Sequence, residues 1–466
     1  MLTLVSNIVI TQQPNITYPN RNKVYTLNFL HDCEIVSSWK NLTTTAKLKL
    51  PKNIQVKDSD GTYNWNGQDF YANATGSETP PVILRGDRIS INLGYYYNIG
   101  TQSEPNYITT LNEEFNGYIT KINPKIPMEI ECEDNMWLLK QAMCPNMVFP
   151  ANTSTATYVN GKGATVNVKS FDGNSWCTQN IMVCLLQSAY VAEVNPANPF
   201  ISNTLLPELS KINVINGAGL NENISTSVGN FRTQNETICQ VLMRLQKDYK
   251  LECFFRRDLK PTTATYTNKG WSNLYVSGIV YYPIDYLSNT GKLISTQYDF
   301  QQNIINQNNL IYLRKDDVRL GIKAYSVGKY ELTHTNSSGG TSTKSQRLEV
   351  AVGDTDGEIR TMFFYPKTNT SPDLDKANLL TLANQALLKL KFEGWHGNFN
   401  SFGLPYVQHG QAVTIKDVVI PERTGTYLIK GTKVNFGQGG FRREIELHIR
   451  IDAQTGFDIK ELQNGL

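Results

Sequence analysis

The sequence predicts a mainly β protein in which two similar antiparallel strand systems flank a mixed α/β module. Three observations carry this. The 466 residues include 24 Tyr, 18 Phe, 33 Gly and 19 Pro, a composition that favours strands and turns over helices. The first quarter of the chain is echoed, in the same order, at its end. Between the two copies the apolar period changes from alternation to a helical stripe. At roughly 150 residues per domain the length fits about three domains. Lys and Arg number 44 against 41 Asp and Glu, and charged residues make up only 18%. No global basic field follows, so electrostatics gives no case for nucleic acid or membrane as primary ligand. A hydrophobic share of 40% is enough to build real cores.

The echo runs strand by strand. Gly86-Asp87-Arg88-Ile89-Ser90-Ile91 is followed by Gly117-Tyr118-Ile119-Thr120-Lys121-Ile122-Asn123, then by Met128-Glu129-Ile130-Glu131-Cys132-Glu133. Gly410-Gln411-Ala412-Val413-Thr414-Ile415 opens the second series. Gly425-Thr426-Tyr427-Leu428-Ile429-Lys430-Gly431-Thr432-Lys433-Val434-Asn435 continues it, and Arg443 to Arg450 closes it. Each reads as turn, strand, loop, Gly-initiated strand, turn and alternating strand, as two copies of one antiparallel barrel or sandwich would.

Between the copies, Ile238, Val241, Leu242, Leu245 and Tyr249 form an amphipathic stripe with Asn235 as the expected cap. Leu251, Cys253 and Phe255 then alternate as a strand. Ile181, Cys184, Leu185 and Tyr190 mark another helical segment, and Met136 to Ala142 a short one. Residues 135–256 are therefore expected to form a mixed module. The clearest helix comes later. Ser371 caps it, Pro372, Asp373 and Asp375 fill its first turn, and Gly394 ends it. Its buried stripe is Leu379, Leu382, Ala383, Ala386, Leu387 and Leu390. His334 to Lys344 reads as a loop or hairpin tip, and the residues after Asp452 as a tail.

A search for chemistry yields no catalytic, cofactor-binding or metal-binding residues. There is no Cys-x-x-Cys pair, and the five histidines are scattered. Asp58-Ser-Asp60-Gly61 and Asp354-Thr-Asp356-Gly357 resemble calcium loops only in part, and read better as turns. Gly161-Lys162-Gly163-Ala164-Thr165 lacks the ending of a phosphate loop, and Gly437-Gln438-Gly439-Gly440 reads as a hairpin turn. Glu129, Glu131 and Glu133 alternate with Met128, Ile130 and Cys132, as the solvated face of a half-buried strand should. Arg85-Gly86-Asp87 reads as a turn rather than an integrin tripeptide. The seven cysteines (Cys33, Cys132, Cys144, Cys177, Cys184, Cys239 and Cys253) read as reduced thiols of a cytosolically made chain. Neither a signal peptide nor a membrane span is expected.

Taken in order, Gly86-Asp87-x-Ile89, Phe115-x-Gly117-Tyr118-Ile119 and Pro127-x-Glu129-Ile130-x-Cys132-x-Asp134 resemble the first barrel of phage baseplate hub proteins. That family includes the late control protein of contractile phages and the base of type VI secretion spikes. The helix ending at Gly394, Gly403-Leu404-Pro405, His409-Gly410, Gly425-Thr426-Tyr427 and Gly437 to Phe441 resemble its second barrel. The family has Pro-Gly where this chain has His409-Gly410, and the segment from Thr262 to Leu293 matches nothing in it.

The resemblance implies two similar tube-like antiparallel β-barrel domains, at 1–134 and 257–466, with the mixed α/β module at 135–256. The second carries an insertion near 326–370 and a helix near 372–393. It also implies a non-enzymatic homotrimer, made in the bacterial host cytoplasm and placed in the virion tail. Such a hub holds the tail tube or distal tail protein on one face and a spike or tip protein on the other. Baseplate periphery proteins are further possible partners, and DNA meets it only in transit through the channel. A fused spike or lysozyme is not expected after the second barrel. The alternative reading is a tail-tip receptor- or carbohydrate-binding protein, resting on the aromatic supply at Tyr63, Trp65, Tyr95, Tyr96 and Tyr97. If the barrels form a ring, Glu129, Glu131 and Glu133 are expected on an acidic lumen wall or on the solvent side.

Overall fold

The computed structural model describes residues 2–51, 56–57, 61, 63–64, 81–101, 103–150, 153–159, 163–170, 173, 176–191, 198–216, 230–249, 251–258, 270–277, 295–307, 309–314, 319–332, 342–364 and 371–451. It is mainly β, and its largest sheet has 16 strands.

The first strands are β1 (Leu2–Thr11), β2 (Val24–Leu27), β3 (Asp32–Ser38) and β4 (Thr45–Leu50). Two short strands follow, β5 (Val56–Lys57) and β6 (Tyr63–Asn64), then β7 (Arg88–Asn98), β8 (Tyr107–Asn123) and β9 (Met128–Glu133). They hydrogen-bond in the order β3-β4-β9-β8-β7-β1-β2. Alternate residues turn inward, among them Ile8 and Ile10, Leu48 and Leu50, Ile89, Ile91 and Leu93, and Ile130 and Cys132. Leu27 of β2 and Ile35 of β3 enter the same cluster from opposite ends of that order. The sheet is therefore rolled around its core.

The mixed module begins with the short helix Met136–Gln141. Next come β10 (Met147–Phe149), β11 (Thr155–Val159), β12 (Thr165–Lys169) and the helix Thr178–Val191. β13 (Asn213–Asn216), β14 (Phe231–Arg232), the helix Ile238–Tyr249, β15 (Glu252–Asp258) and β16 (Gly270–Ser277) follow. Two small sheets result, β12-β11-β10-β14 and β13-β16-β15. Trp137, Ile181, Leu185, Ile238, Val241, Leu242 and Leu245 share one core with Cys253, Phe255, Leu274 and Val276. Two sequence expectations need correction here. Thr237, not Asn235, caps the Ile238–Tyr249 helix. Its hydroxyl accepts from Gln240 N at 3.2 Å, while Thr237 N donates to Gln240 Oε1 at 2.8 Å, a reciprocal capping box. Asn235 lies two residues ahead at φ 50°, turning the chain into that cap. Secondly, β16 lies beyond residue 256, yet it pairs with both β13 and β15. A boundary at 256 would cut the sheet on which the module's core rests.

The chain then runs through β17 (Ser295–Asp299), β18 (Ile304–Asn306) and β19 (Leu310–Leu313). An inserted sheet of β20 (Leu320–Leu332), β21 (Ser342–Gly353) and β22 (Glu358–Phe363) follows. The helix Pro372–Leu390 covers that sheet, with Leu379 and Ala383 against Ile322, Ala324 and Leu348. Ser371 caps this helix by accepting from Leu374 N, as its sequence indicates. The helix stops at Leu390, short of Gly394. Gly394 instead opens the next strand at φ +146°, where a Cβ would stand 2.5 Å from the Tyr427 hydroxyl. Last come β23 (Gly394–Phe402), β24 (Ala412–Lys416), β25 (Gly425–Gly437) and β26 (Gly440–Arg450). A second core gathers Tyr298, Trp395, Phe399, Val413, Ile415, Leu428, Ile429, Ile445 and Leu447.

β25 and β26 do not stay in that core. Val434, Phe436 and Phe441 lie in the first cluster, among residues of β3, β4 and β9. Replacing Phe436 by Ala should therefore cost about 3–5 kcal/mol and lower one shared thermal transition. Scanning calorimetry that instead resolves an unchanged first transition would contradict the shared core.

Candidate assembly interface

The two strand systems match beyond their sequence echo. β3-β4-β9-β8-β7-β1 is one hydrogen-bonded order, and β18 or β19-β23-β26-β25-β24-β17 is the other. Chain order is preserved across the match. The agreement extends to single bonds. Gly86 N donates to the Ile119 carbonyl at 2.8 Å, and Ile119 N to the Asp87 carbonyl at 2.9 Å. Gly410 N and Ile429 make the same pair with Ile429 and Gln411, both at 2.9 Å. Directly afterwards each strand bulges, between Ile119 and Lys121 in β8 and between Ile429 and Gly431 in β25. One departure stands out: β1 runs antiparallel to β7, whereas β17 runs parallel to β24.

Beyond its bulge, β25 pairs on its free edge with β3, from Gly431 opposite Ser38 to Gly437 opposite Asp32. This pairing welds the two systems into one sheet. Register then fixes the face of that sheet turned away from the cores. One row reads Lys121, Glu131, Lys47, Glu34, Asn435 and Arg442 across β8, β9, β4, β3, β25 and β26. The row beside it reads Asn123, Glu129, Lys49 and Asp32. Lys49 meets Asp32 at 3.3 Å, Lys433 meets Glu34 at 2.8 Å and Lys140 meets Glu133 at 2.7 Å. Glu129, Glu131 and Glu133 do lie opposite the core, with the Met128, Ile130 and Cys132 side chains inward. The face they share alternates in sign, however, and is not acidic.

A buried polar network holds the junction from behind. β8 carries an extra residue where Ile91 pairs with Phe115 but Asn92 pairs with Glu113. The extra residue is Glu114, and bulges re-aim side chains in this way. Its carboxylate accepts from Arg443 Nη2 of β26 at 2.7 Å, and both side chains are buried. Arg443 also donates to the carbonyls of Gly403 and Val407. Burial pushes the Glu114 carboxyl up, and the Arg443 charge pulls it back. The mixed module joins through Arg257 of β15 and Trp271 of β16, which both reach the Glu113 carboxylate. His409 Nε2 meets the Phe255 carbonyl at 3.2 Å while its ring stands edge-on to Phe254. Burial, with the Arg256 charge adding to it, lowers the His409 pKa to about 3. His409 thus ties the turn ahead of β24 to the mixed module.

The remaining residues singled out in the sequence are spread over the fold. Asp87 is buried and bound bidentately by Arg21, at 2.7 and 2.8 Å, so the Arg-Gly-Asp turn presents no free carboxylate. Asp354 pairs with Lys391 and Asp356 with Arg319 on the β21–β22 turn. Gly437 and Gly440 bound the β25–β26 hairpin turn. Tyr95 is core and donates to the Phe441 carbonyl at 2.9 Å. Tyr96 is 39% exposed and stacks on Tyr107. Trp65, residues 58–60 and residues 160–162 lie outside the described residues, as does much of 262–293. All seven cysteines are buried and unbridged. Among the described residues no three His, Cys, Asp or Glu side chains cluster to hold a metal ion, and no helix is long and apolar enough to cross a membrane.

Glu114→Ala should cost about 3–5 kcal/mol, because it strands the buried Arg443 charge, whereas joint replacement by Leu and Met should recover most of it. Urea melts of the single and double variants measure this. His409 titrates near its ordinary 6.5 when unfolded but near 3 when folded. Between those values only the unfolded chain takes up the proton. Stability should therefore fall by about 1.4 kcal/mol per pH unit as pH drops through that window. His409→Gln should flatten this component, which melts at pH 7, 6 and 5 would reveal.

No family model matches the chain, and no curated protein matches it. Solved structures do. It is similar to the 43 kDa tail protein of prophage MuSo2 from Shewanella oneidensis, at 11% identity and TM-score 0.46, over 95% of this chain and 97% of that one. It is similar to the tail protein from Neisseria meningitidis MC58, at 11% identity and TM-score 0.47, with 96% of both chains covered. It is also similar to a chain of the Francisella PdpA–VgrG complex, at 9% identity and TM-score 0.45, over 96% of this chain and 53% of that one.

Proposed function

We propose that the chain is a structural hub of a phage tail or phage-derived injection machine, a homotrimer that joins a six-fold tail tube to a three-fold spike or tip. The strand-for-strand match of the two systems, down to the Ile119 and Ile429 hydrogen bonds, carries this reading. A six-fold ring and a three-fold spike cannot meet through identical contacts on every subunit. A chain holding the same strand system twice resolves the conflict, since three chains present six such systems. The contacts are then heterologous, and they close after three.

In this reading the strand systems are the tube-like barrels, at 1–134 and from β17 onward, and the mixed module, which takes in β16, sits outside the ring. The charge-alternating face lines the channel. A wall on which Lys47 and Lys49 stand beside Glu131 and Glu129 offers no strip of uniform charge. A passing phosphate backbone is then neither held nor strongly repelled. The role is geometric rather than catalytic: the polar groups assembled at the junction are committed to structural pairs. The chain belongs to the tail, between tube or distal tail protein and spike.

Cryo-electron microscopy of the assembled tail tip tests this. Three copies around the axis are expected, with both strand systems of each in one pseudo-six-fold ring. Six copies around the axis, or two systems at different radii, would sink the proposal.

A further inference from the structure

The internal junction specifies the seam between subunits. β25 uses its edge beyond the bulge, Gly431–Gly437, to pair with β3. The counterpart of that edge in the first system is β8 beyond its own bulge, Lys121–Asn123. Among the described residues these pair only with β9. The counterpart of β3 follows from register. Lys47 of β4 and Asn398 of β23 occupy matching places, opposite Glu131 and Glu446. Val36 lies opposite Thr45, and Ile311 opposite His396, each two residues before those positions. Hence Val36, Ser37 and Ser38 correspond to Ile311, Tyr312 and Leu313 of β19. The far edge of β19 pairs with no strand among the described residues.

We propose that Lys121–Asn123 of one subunit pairs antiparallel with Ile311–Leu313 of a second copy of this chain, with Lys121 opposite Leu313, Ile122 opposite Tyr312 and Asn123 opposite Ile311. The faces agree. Ile122 packs against the first core and Tyr312 against the second, while Lys121 and Ile311 stand on the opposite face, where Ile311 is 60% exposed. A slip of one residue would set core face against outer face along the seam. Each chain offers one edge of each kind, so the contact is head-to-tail and leaves neither edge open in a closed ring. Closure after three subunits rests on the hub reading. The seam itself rests on the β3–β25 template.

Mixing an Asn123→Cys chain with an Ile311→Cys chain under mild oxidation tests this, because only contacts between chains can then form the bond. Opposed residues on antiparallel strands lie within disulfide reach, and the buried native thiols leave a low background. A covalent dimer is expected from the mixture, and covalent trimers from a chain carrying both substitutions. The Lys121→Cys with Ile311→Cys mixture, two residues out of register, should link at least tenfold more slowly. Ile311→Asp should weaken assembly about tenfold or more with an unchanged monomer melting temperature. Native mass spectrometry on the same samples separates the failures. A trimer without the Asn123–Ile311 bond overturns the seam and keeps the hub reading. A chain that stays monomeric at every concentration and with its tube partner overturns both.

Discussion

Everything in this molecule depends on one backbone ladder, the pairing of β25 with β3. It joins strands almost 400 positions apart in the chain and turns two rolled sheets into one. Once that ladder exists, the row of Lys121, Glu131, Lys47, Glu34, Asn435 and Arg442 becomes a continuous surface rather than fragments on separate bodies. The apolar side follows suit, because Val434 and Phe436 enter the core built by the first strands. Backbone hydrogen bonds supply the alignment, and burial behind them supplies most of the free energy.

The ladder alone would leave a hinge. Glu114 and Arg443 remove it by placing an ion pair out of water between β8 and β26, with carbonyls of the 403–407 segment satisfying the rest of the guanidinium. Buried pairs contribute little net stability, but they tolerate little misplacement. With Gln408 and His409 fastened to β15, the mixed module is held in the same frame. The orientation of three parts thus hangs on a few polar contacts whose geometry is strict.

Much of the frame was legible in the sequence. The alternation of Met128 to Glu133, the Gly86-Asp87 and Gly410-Gln411 turns and the Leu379 to Leu390 stripe are local signals, and the fold keeps them. What escaped is non-local or competes with a stronger cue. Nothing near Asp32–Ser38 announces a partner at 431–437. Glu114 leaves one faint trace, since Glu113-Glu114 interrupts the alternation of β8 ahead of Phe115. Asn235 has the residue type of a cap, although the Thr237-x-x-Gln240 spacing beside it is the better signal. Glu129, Glu131 and Glu133 make an acidic row only along their own strand. Charge on a sheet belongs to rows across strands, and the lysines of β4 could be placed only once the register was fixed.

The sharing of β25 and β26 between two cores has a consequence for biosynthesis. Residues 8 to 132 leave the ribosome well before Val434, Phe436 and Phe441, which complete their core. Until residues 431–441 have been made, the edge of β3 has no partner and part of that core is open. Contacts of such sequence separation are slow to form, and an open edge invites pairing with other chains. The nascent chain therefore needs protection until those strands arrive. In return, a chain truncated before β25 cannot pass for a folded one: losing β25 and β26 spoils the first core as well as the second. That makes the fold its own check on the presence of both strands.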